Sequence, residues 1–317
     1  MAETSIRAYE DVSAFREHVN SIREPAILRG FDVGGCVEKW QSLDYLLDKF
    51  GNVQAKVHVV QKDHADKMDF RSKNFKYQTI PMTSLIQKVF EKEEDDLAYY
   101  LRWVGDDPRG QTKADFMTDF PALSQDFEFD KFFNFFPQEK FFSSVLRVSS
   151  KDIRVWTHFD TLDNIYVQIV GNKEMIMWNP NEAFNLYLDG DKSKVVDFQD
   201  PELDVKFPNF KKAAKSVGRL GPGDMVFIPA LHFHNMKAVD KGIAINIFWK
   251  NLEDHLYDKK DPYGNKDLLP AAKALRMVDN VWHQLDNLPE QYRDFYGRQL
   301  IARIQSKCLT KKDEPES

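Results

Sequence analysis

The sequence predicts a β-rich α+β fold: a double-stranded β-helix, or double-sheet jelly roll, flanked by helices near the N-terminus and by a helical pair at the C-terminal end. Three observations carry this. Between Phe142 and Trp249, short runs rich in aromatic and β-branched residues follow one another, separated by turn residues rather than helical patterns. Within that region His158-Phe159-Asp160 stands in a strand-like run, and a further histidine, His234, lies far downstream. At both ends, apolar residues recur at spacings of three and four.

A chain of 317 residues, 42% apolar and 30% charged, can bury a large core. Its 25 Phe, 11 Tyr and 6 Trp suit a β-rich interior better than a disordered chain. The formal net charge of −6 excludes a surface coated in positive charge, so a nucleic-acid partner would need a local basic patch. The two cysteines, Cys36 and Cys308, form no C-x-x-C pair, which argues against a cysteine zinc site and against a disulfide framework. The start, Met1-Ala2-Glu3-Thr4-Ser5, has no apolar h-region, and no uncharged apolar run reaches membrane-spanning length. We therefore expect no membrane and a cytoplasmic or nuclear location.

Taken in order, Val12, Phe15, Val19 and Ile22 mark an amphipathic helix over 10–22, which Glu24-Pro25 ends. Ala26–Gly30 reads as a short strand, 44–50 as a helix, 55–60 as a strand, and the basic stretch 61–76 as a loop. Leu85, Ile86 and Val89 place a helix over 82–92, the acidic run 91–96 a solvated turn, and 97–104 a strong strand. Residues 105–140 read as irregular covering segments with six Phe between 127 and 136. Strands are expected at 143–148, 154–160, 164–170 and 173–178, with Gly171-Asn172 as a tight hairpin turn between the last two. A polar insertion over 181–216 precedes the turn Gly221–Asp224, which leads into strands at 225–228 and 243–249. After Asp267, Ala271, Leu275, Val278, Trp282 and Leu285 form one helical stripe; Asn287 can cap a second helix carrying Tyr292, Phe295, Tyr296, Leu300 and Ile304. The expected organisation is a catalytic jelly roll over 1–267, C-terminal helices over 268–308 and a disordered tail over 309–317. The two helical faces must be buried, either back on the sheet or in a homodimer.

His158 and Asp160, two apart on a strand, point to the same face. With His234 they make two imidazoles and a carboxylate, which leave three positions open on an octahedral metal, the facial triad of non-haem Fe(II) oxygenases. Such a site needs a co-substrate that chelates the metal and supplies two electrons. For 2-oxoglutarate the far carboxylate must meet a cation in a buried pocket. Lys173, opening the strand after Gly171-Asn172, can sit beside the His-x-Asp strand and fill that role.

The segments W-T-H-F-D (156–160), Asn164, G-N-K (171–173), G-D-M-V-F-I-P (223–229), His234 and N-I-F-W-K (246–250) resemble the JmjC-domain oxygenases of the cupin class. Outside that core, A-Y-Y-L-R (98–102), F-F-S-S-V-L-R-V-S-S (141–150), D-P-Y-G-N-K-D (261–267) and L-P-E-Q-Y-R-D-F-Y (288–296) resemble the branch that hydroxylates a wybutosine precursor in tRNA. Position by position, the resemblance implies that His158, Asp160 and His234 hold Fe(II), and that Tyr100, Asn164 and Lys173 hold 2-oxoglutarate. Tyr100 would bond the far carboxylate beside Lys173; Asn164 would reach the metal-side carboxylate from the neighbouring strand. Asn246 is either a supporting amide or a strand Asn bonded to backbone. Where the family carries an aromatic residue, this chain has His232. Spacing on a strand cannot choose between His232 and His234; the family register selects His234.

The implied reaction consumes 2-oxoglutarate and O2, releases succinate and CO2, and hydroxylates the aminocarboxypropyl side chain of a wybutosine precursor in phenylalanine tRNA. Arg147, Lys151 and Arg154, or the loop bearing Lys67, Arg71, Lys73 and Lys76, could meet phosphates. The alternatives are a JmjC hydroxylase of a protein side chain and an inactive JmjC scaffold that only binds.

Overall fold

The computed structural model describes residues 3–91, 96–105 and 112–309. The chain divides into two compact units, one running to His255 with Lys259–Lys266, the other comprising Leu256–Asp258 and the residues from Asp267 onward. In the first unit the described strands are, in chain order, β1 (Glu3–Ser5), β2 (Arg7–Tyr9), β3 (Ala26–Leu28), β4 (Gln54–Gln61), β5 (Lys76–Pro81), β6 (Leu97–Arg102), β7 (Phe141–Ser149), β8 (Arg154–His158), β9 (Asp163–Val170), β10 (Lys173–Trp178), β11 (Leu188–Asp189), β12 (Lys192–Ser193), β13 (Lys215–Leu220), β14 (Met225–Ile228), β15 (Phe233–Ala238) and β16 (Gly242–Trp249). They form two sheets, in the orders β1-β13-β10-β15-β8-β12-β11 and β2-β3-β14-β9-β16-β7-β6-β4-β5. This is the expected jelly roll.

The larger sheet holds the core. All eight residues of β9 and all eight of β16 are buried, as befits central strands covered on both faces. Between the sheets, Tyr166, Val226, Ile228 and Ala244 pack with Met175 and Met177. The aromatic segment before β7 covers the core as expected: Phe127, Phe129, Phe132, Phe135 and Phe136 are buried, and Phe136 stacks on Trp249 at 4.5 Å with planes 5° apart.

Several local expectations change. The N-terminal helix is α-helical only over Val12–Glu17; a π-helical turn, His18–Ile22, follows and stops at Arg23, which has φ +57°. A non-glycine residue there needs support. The Arg23 guanidinium supplies it, binding both carboxylate oxygens of the fully buried Asp163 at 2.8 and 3.0 Å. The stretch 61–76 is a 3-10 helix, Lys62–Lys67, and the start of β5 rather than a plain loop. The polar insertion contributes β11 and β12, which extend the smaller sheet past β8, and the beginning of β13. Within the acidic run 91–96, residues 92–95 lie outside the described residues, as does the tail from 310.

Gly171-Asn172 is not a hairpin. β9 pairs with β14 and β16, whereas β10 pairs with β13 and β15, so the turn carries the chain from one sheet to the other. Gly171 sits at φ +76°, and a Cβ there would lie 2.2 Å from the Lys241 carbonyl oxygen. A two-residue corner between layers therefore demands glycine twice over, for its dihedral and for its space.

In the second unit, helices Leu269–Leu285 and Glu290–Cys308 have no buried residue. Trp282, Tyr292, Phe295 and Ile304 are exposed in the single chain. Asn287 does not cap the second helix; its side-chain amide donates to the carbonyls of His283 and Gln284 at the end of the first, at 3.0 and 3.4 Å. The second helix starts behind Pro289 without a side-chain cap, its rigid φ already suited to helix entry.

Replacing Gly171 by Ala should lower unfolding free energy by roughly 2 kcal/mol or more, through the forced φ and the clash with Lys241. The midpoint of a urea titration measures this; an unchanged midpoint would contradict the corner's role.

Candidate active site

The smaller sheet brings two distant histidines face to face. β8 and β15 run antiparallel with His158 and His234 as direct cross-strand partners, and the ring centroids are 4.3 Å apart. β8 ends at His158, earlier than the sequence suggests, because the next backbone groups bond elsewhere. The Phe159 amide donates to the Asp191 carbonyl, and the Asp160 carbonyl accepts from the Leu231 amide. Asp160 nonetheless turns to the same side, its Oδ2 3.6 Å from His234 Nε2. One ligand atom from each of His158, Asp160 and His234 lies within 4.8 Å of the others.

The ring orientations suit a metal. His158 Nδ1 lies 2.9 Å from the Trp156 carbonyl oxygen and His234 Nδ1 3.1 Å from that of His232. Carbonyl oxygens only accept, so each Nδ1 carries the proton and each Nε2 presents a lone pair to the common space. Burial, followed by the neighbouring His234, pushes His158 down to about 3; burial also lowers His234. For Asp160, burial alone would raise the pKa, but His158, His234, Arg102 and Arg147 together hold it below the usual carboxylate value. Neutral imidazoles beside an ionised carboxylate are the protonation states a divalent cation requires.

His232 does not join this group. Its amide bonds the Pro229 carbonyl, Leu231 before it has φ +69°, and β15 begins only at Phe233. The strand alternation that would put His232 beside His234 therefore does not reach it. It borders a separate cleft with Arg7 and Lys215, and its buried Nδ1 has no hydrogen-bond partner.

Behind the triad lies a narrow cavity of about 30 Å³ between the sheets. Lys173 enters from β10, two strands from β8 across β15 rather than directly beside it. Asn164 enters from the opposite sheet, not from a neighbouring strand. The register on β6 and β7 sets four more side chains on one face: Tyr100 opposite Ser149 and Arg102 opposite Arg147. Arg147, expected among phosphate-facing cations, lies inside. It donates through Nε to Asn246 Oδ1 and through a terminal nitrogen to the Tyr100 hydroxyl, while Asn246 Nδ2 donates to Asn164 Oδ1 at 2.9 Å. Asn246 is thus tied to side chains, not to backbone. Lys173 Nζ reaches Ser149 Oγ at 3.3 Å, has no carboxylate partner among the described residues, and is pushed down to about 7 by burial and then by Arg147.

Of the other cations considered for phosphate, Arg154 donates to Asn235 Oδ1 at 2.6 Å and lies over Phe198, whereas Lys73 and Lys151 are exposed. Sequence reasoning gave no role to Arg102, Ser149 or Tyr166, all of which line the cavities. Period-2 alternation from Tyr100, Arg147 and Asn164 would have pointed to each of them.

The chain has close relatives among known proteins. A family model described as a cupin-like domain matches residues 12–255, and the chain belongs to that family. Over 306 residues it is 43% identical to tRNA wybutosine-synthesizing protein 5 of Mus musculus, covering 95% of this chain and 94% of that protein. It is 41% identical to the Danio rerio protein of the same name, over 97% and 94%. The tRNA wybutosine-synthesizing protein 4 of Gibberella zeae is 34% identical over 89% of this chain, a region that makes up 27% of that longer protein.

Three imidazoles, His232 buried and His58 and His158 half-buried, give the metal-free protein a defined pH response. His158 is pushed down to about 3, and His58 and His232 to about 4, in each case chiefly by burial. Each is depressed below its unfolded value, so its contribution is complete above about pH 6.5 and is lost as pH falls toward 4. The expected slope is up to about 1.4 kcal/mol per pH unit per group. Thermal melts should show Tm falling steadily from pH 7 to pH 5; a flat profile there would contradict the neutral buried rings.

Proposed function

We propose that this chain is an Fe(II)- and 2-oxoglutarate-dependent hydroxylase of tRNA, acting on the aminocarboxypropyl side chain of a wybutosine precursor in phenylalanine tRNA. The observation that carries the oxygenase reading is the buried Lys173 ammonium, without a carboxylate partner among the described residues, in the cavity that opens onto His158 and His234. A buried cation of this kind calls for an anionic ligand. The tRNA reading rests on the names of the relatives. In the same reading the protein works in the cytoplasm or nucleus.

In this reading His158, Asp160 and His234 hold Fe(II), a donor set whose two free Nε2 atoms and carboxylate fit it. Lys173 and the Tyr100 hydroxyl bind the far carboxylate of 2-oxoglutarate, and Asn164, braced by Asn246, receives the end nearer the metal. The bound iron and oxoacid supply the oxidising chemistry: O2 and 2-oxoglutarate are consumed, succinate and CO2 leave, and one oxygen atom becomes the substrate hydroxyl. The chain's part is to orient. Backbone carbonyls fix both imidazoles, Arg147 fixes the Tyr100 phenol and the Asn246 amide, and the buried lining of Ile228 and Ala244 keeps water out. Lys73 and Lys151, both exposed, are the cations available to tRNA phosphates. The exposed apolar residues of the C-terminal helices are the proposed contact of a homodimer, and Trp282→Glu should shift the protein to monomer in sedimentation.

Two measurements test this. Wild-type protein should convert 2-oxoglutarate to succinate with tRNA from cells lacking the protein and restore the hydroxylated base by mass spectrometry, whereas His158→Ala should do neither. Turnover with a peptide but not with tRNA would favour a protein hydroxylase, and no turnover with either would favour a scaffold. Because an anionic partner raises the pKa of Lys173 from about 7, binding of 2-oxoglutarate at pH 8 should take up a proton. Calorimetry in two buffers of different ionisation enthalpy reads this directly; equal heats would remove Lys173 from the oxoacid.

A further inference from the structure

A second, larger space lies on the outer side of His158. Arg102, Trp156, Phe70, Tyr77, Lys56 and Lys192 are among its walls, and Tyr100, Arg147, Val155 and His158 border both it and the inner cavity. Lys173 lines only the inner cavity and Arg102 only the outer one. An anion held by Lys173 therefore does not serve Arg102.

Arg102 is left without a match. It stands directly opposite Arg147 across β6 and β7, an arrangement of like charges that disfavours the pairing. Arg147 is satisfied by Tyr100 and Asn246. The contacts of Arg102 are the Tyr263 backbone oxygen at 3.4 Å and the face of the Tyr263 ring at 5.7 Å. No carboxylate lies within ion-pair distance of it among the described residues. Burial, reinforced by Arg147, lowers its pKa from the ordinary guanidinium value, and Asp160, which lines the same space without a direct ion pair, offsets this only in part. The Tyr263 contact is deliberately held: Asp261 accepts from the amides of Tyr263, Gly264 and Lys266, and the Thr161 hydroxyl, one residue beyond Asp160, donates to the Gly264 and Lys266 carbonyls.

Facing Arg102 across the opening is an aromatic wall. Trp156 lies 17° from parallel with Phe75 at 6.2 Å, and Phe70 leans on it at 5.2 Å with its own ring 38% exposed. Lys56 and Lys192 each sit 4.8 Å from an aromatic ring at the rim, over Tyr77 and Phe70. Exposed Phe70 and Tyr77 beside half-buried Trp156, with Lys56 at the rim, suit a flat base on a phosphate chain, while Lys192 is already paired with Asp191.

We propose that Arg102 is the receptor for a carboxylate on the group to be oxidised, while Phe70 and Trp156 hold the planar base that carries it. This rests on the tRNA hydroxylase reading and deepens it, by naming the residue that selects the free carboxylate of the aminocarboxypropyl chain. Guanidinium and carboxylate pair in two parallel hydrogen bonds, so the preference is for the ionised acid over its uncharged ester.

The experiment uses the full chain, loaded with iron and 2-oxoglutarate and kept free of O2. Filter binding compares tRNA bearing the precursor with its carboxylate free against the same tRNA with that carboxylate methyl-esterified. Wild type should bind the acid about tenfold or more tightly. Arg102→Gln should bind the two alike, and Arg102→Lys should keep a preference of a few-fold. Damage to the fold, or loss of a phosphate contact as in Lys73→Ala, weakens both ligands together and leaves their ratio unchanged. A wild-type preference retained in Arg102→Gln, or no preference in wild type, overturns the assignment while leaving the tRNA reading intact. Failure of the wild type to hydroxylate any tRNA on admission of O2 overturns both.

Discussion

The site depends on one backbone register, the antiparallel pairing of β8 with β15 that sets His158 opposite His234. Everything chemical is referred to that pair. The carbonyls that fix the rings come from Trp156 on β8 and from His232 in the turn just before β15, so the chain that leads into the pairing also chooses the tautomers. A slip of one residue would turn one histidine to the other face and leave its Nε2 pointing away from the other. The bulge between His234 and Met236 lies just past the pair and takes up the irregularity there.

Around this fixed point the fold gathers positive charge. Lys173, Arg147 and Arg102 reach inward from three strands in two sheets, and the Asp160 carboxylate feels two of them, Arg102 and Arg147. Such an interior is electrostatically incomplete, since burial lowers the pKa of both Lys173 and Arg102 and neither has a direct carboxylate partner among the described residues. In the proposed reading anionic reactants complete it, a dicarboxylate on the inner side of His158 and a carboxylate on the outer. Stability and function then pull in opposite directions, as they do in active sites generally.

Much of this was legible in the chain. The strands at 143–148, 164–170, 225–228 and 243–249 lie where their apolar runs place them, because those segments are short and almost wholly buried, and 173–178 follows by alternation, with exposed Glu174 between buried Lys173 and Met175. The Phe cluster between 127 and 136 covers the core because aromatic rings so close together have nowhere drier to go. Other features were hidden. Gly171-Asn172 reads as a hairpin because turn chemistry is local, while the choice between pairing back and crossing to another sheet is made by strands remote in sequence. Arg147 reads as a surface cation because a charge near a strand end usually is one; only its partners Tyr100 and Asn246, on two other strands, show otherwise. Asn287 suits a helix start by type, yet the backbone left it nearer the carbonyls of the preceding helix end.

The sequence by itself determined the chemical inventory: strands by their periodicity, two histidines and an aspartate of the right kinds, and a lysine placed after a glycine corner. Side-chain type and alternation are local properties, and local properties survive in one dimension. The tertiary structure decided which of those groups meet, that His234 rather than His232 faces His158, that Asn164 answers Lys173 from the opposite sheet, and that Arg102 and Arg147 stand across from each other. Those outcomes follow from strand register and sheet order, which are set by burial summed over the whole core and are written in no single segment.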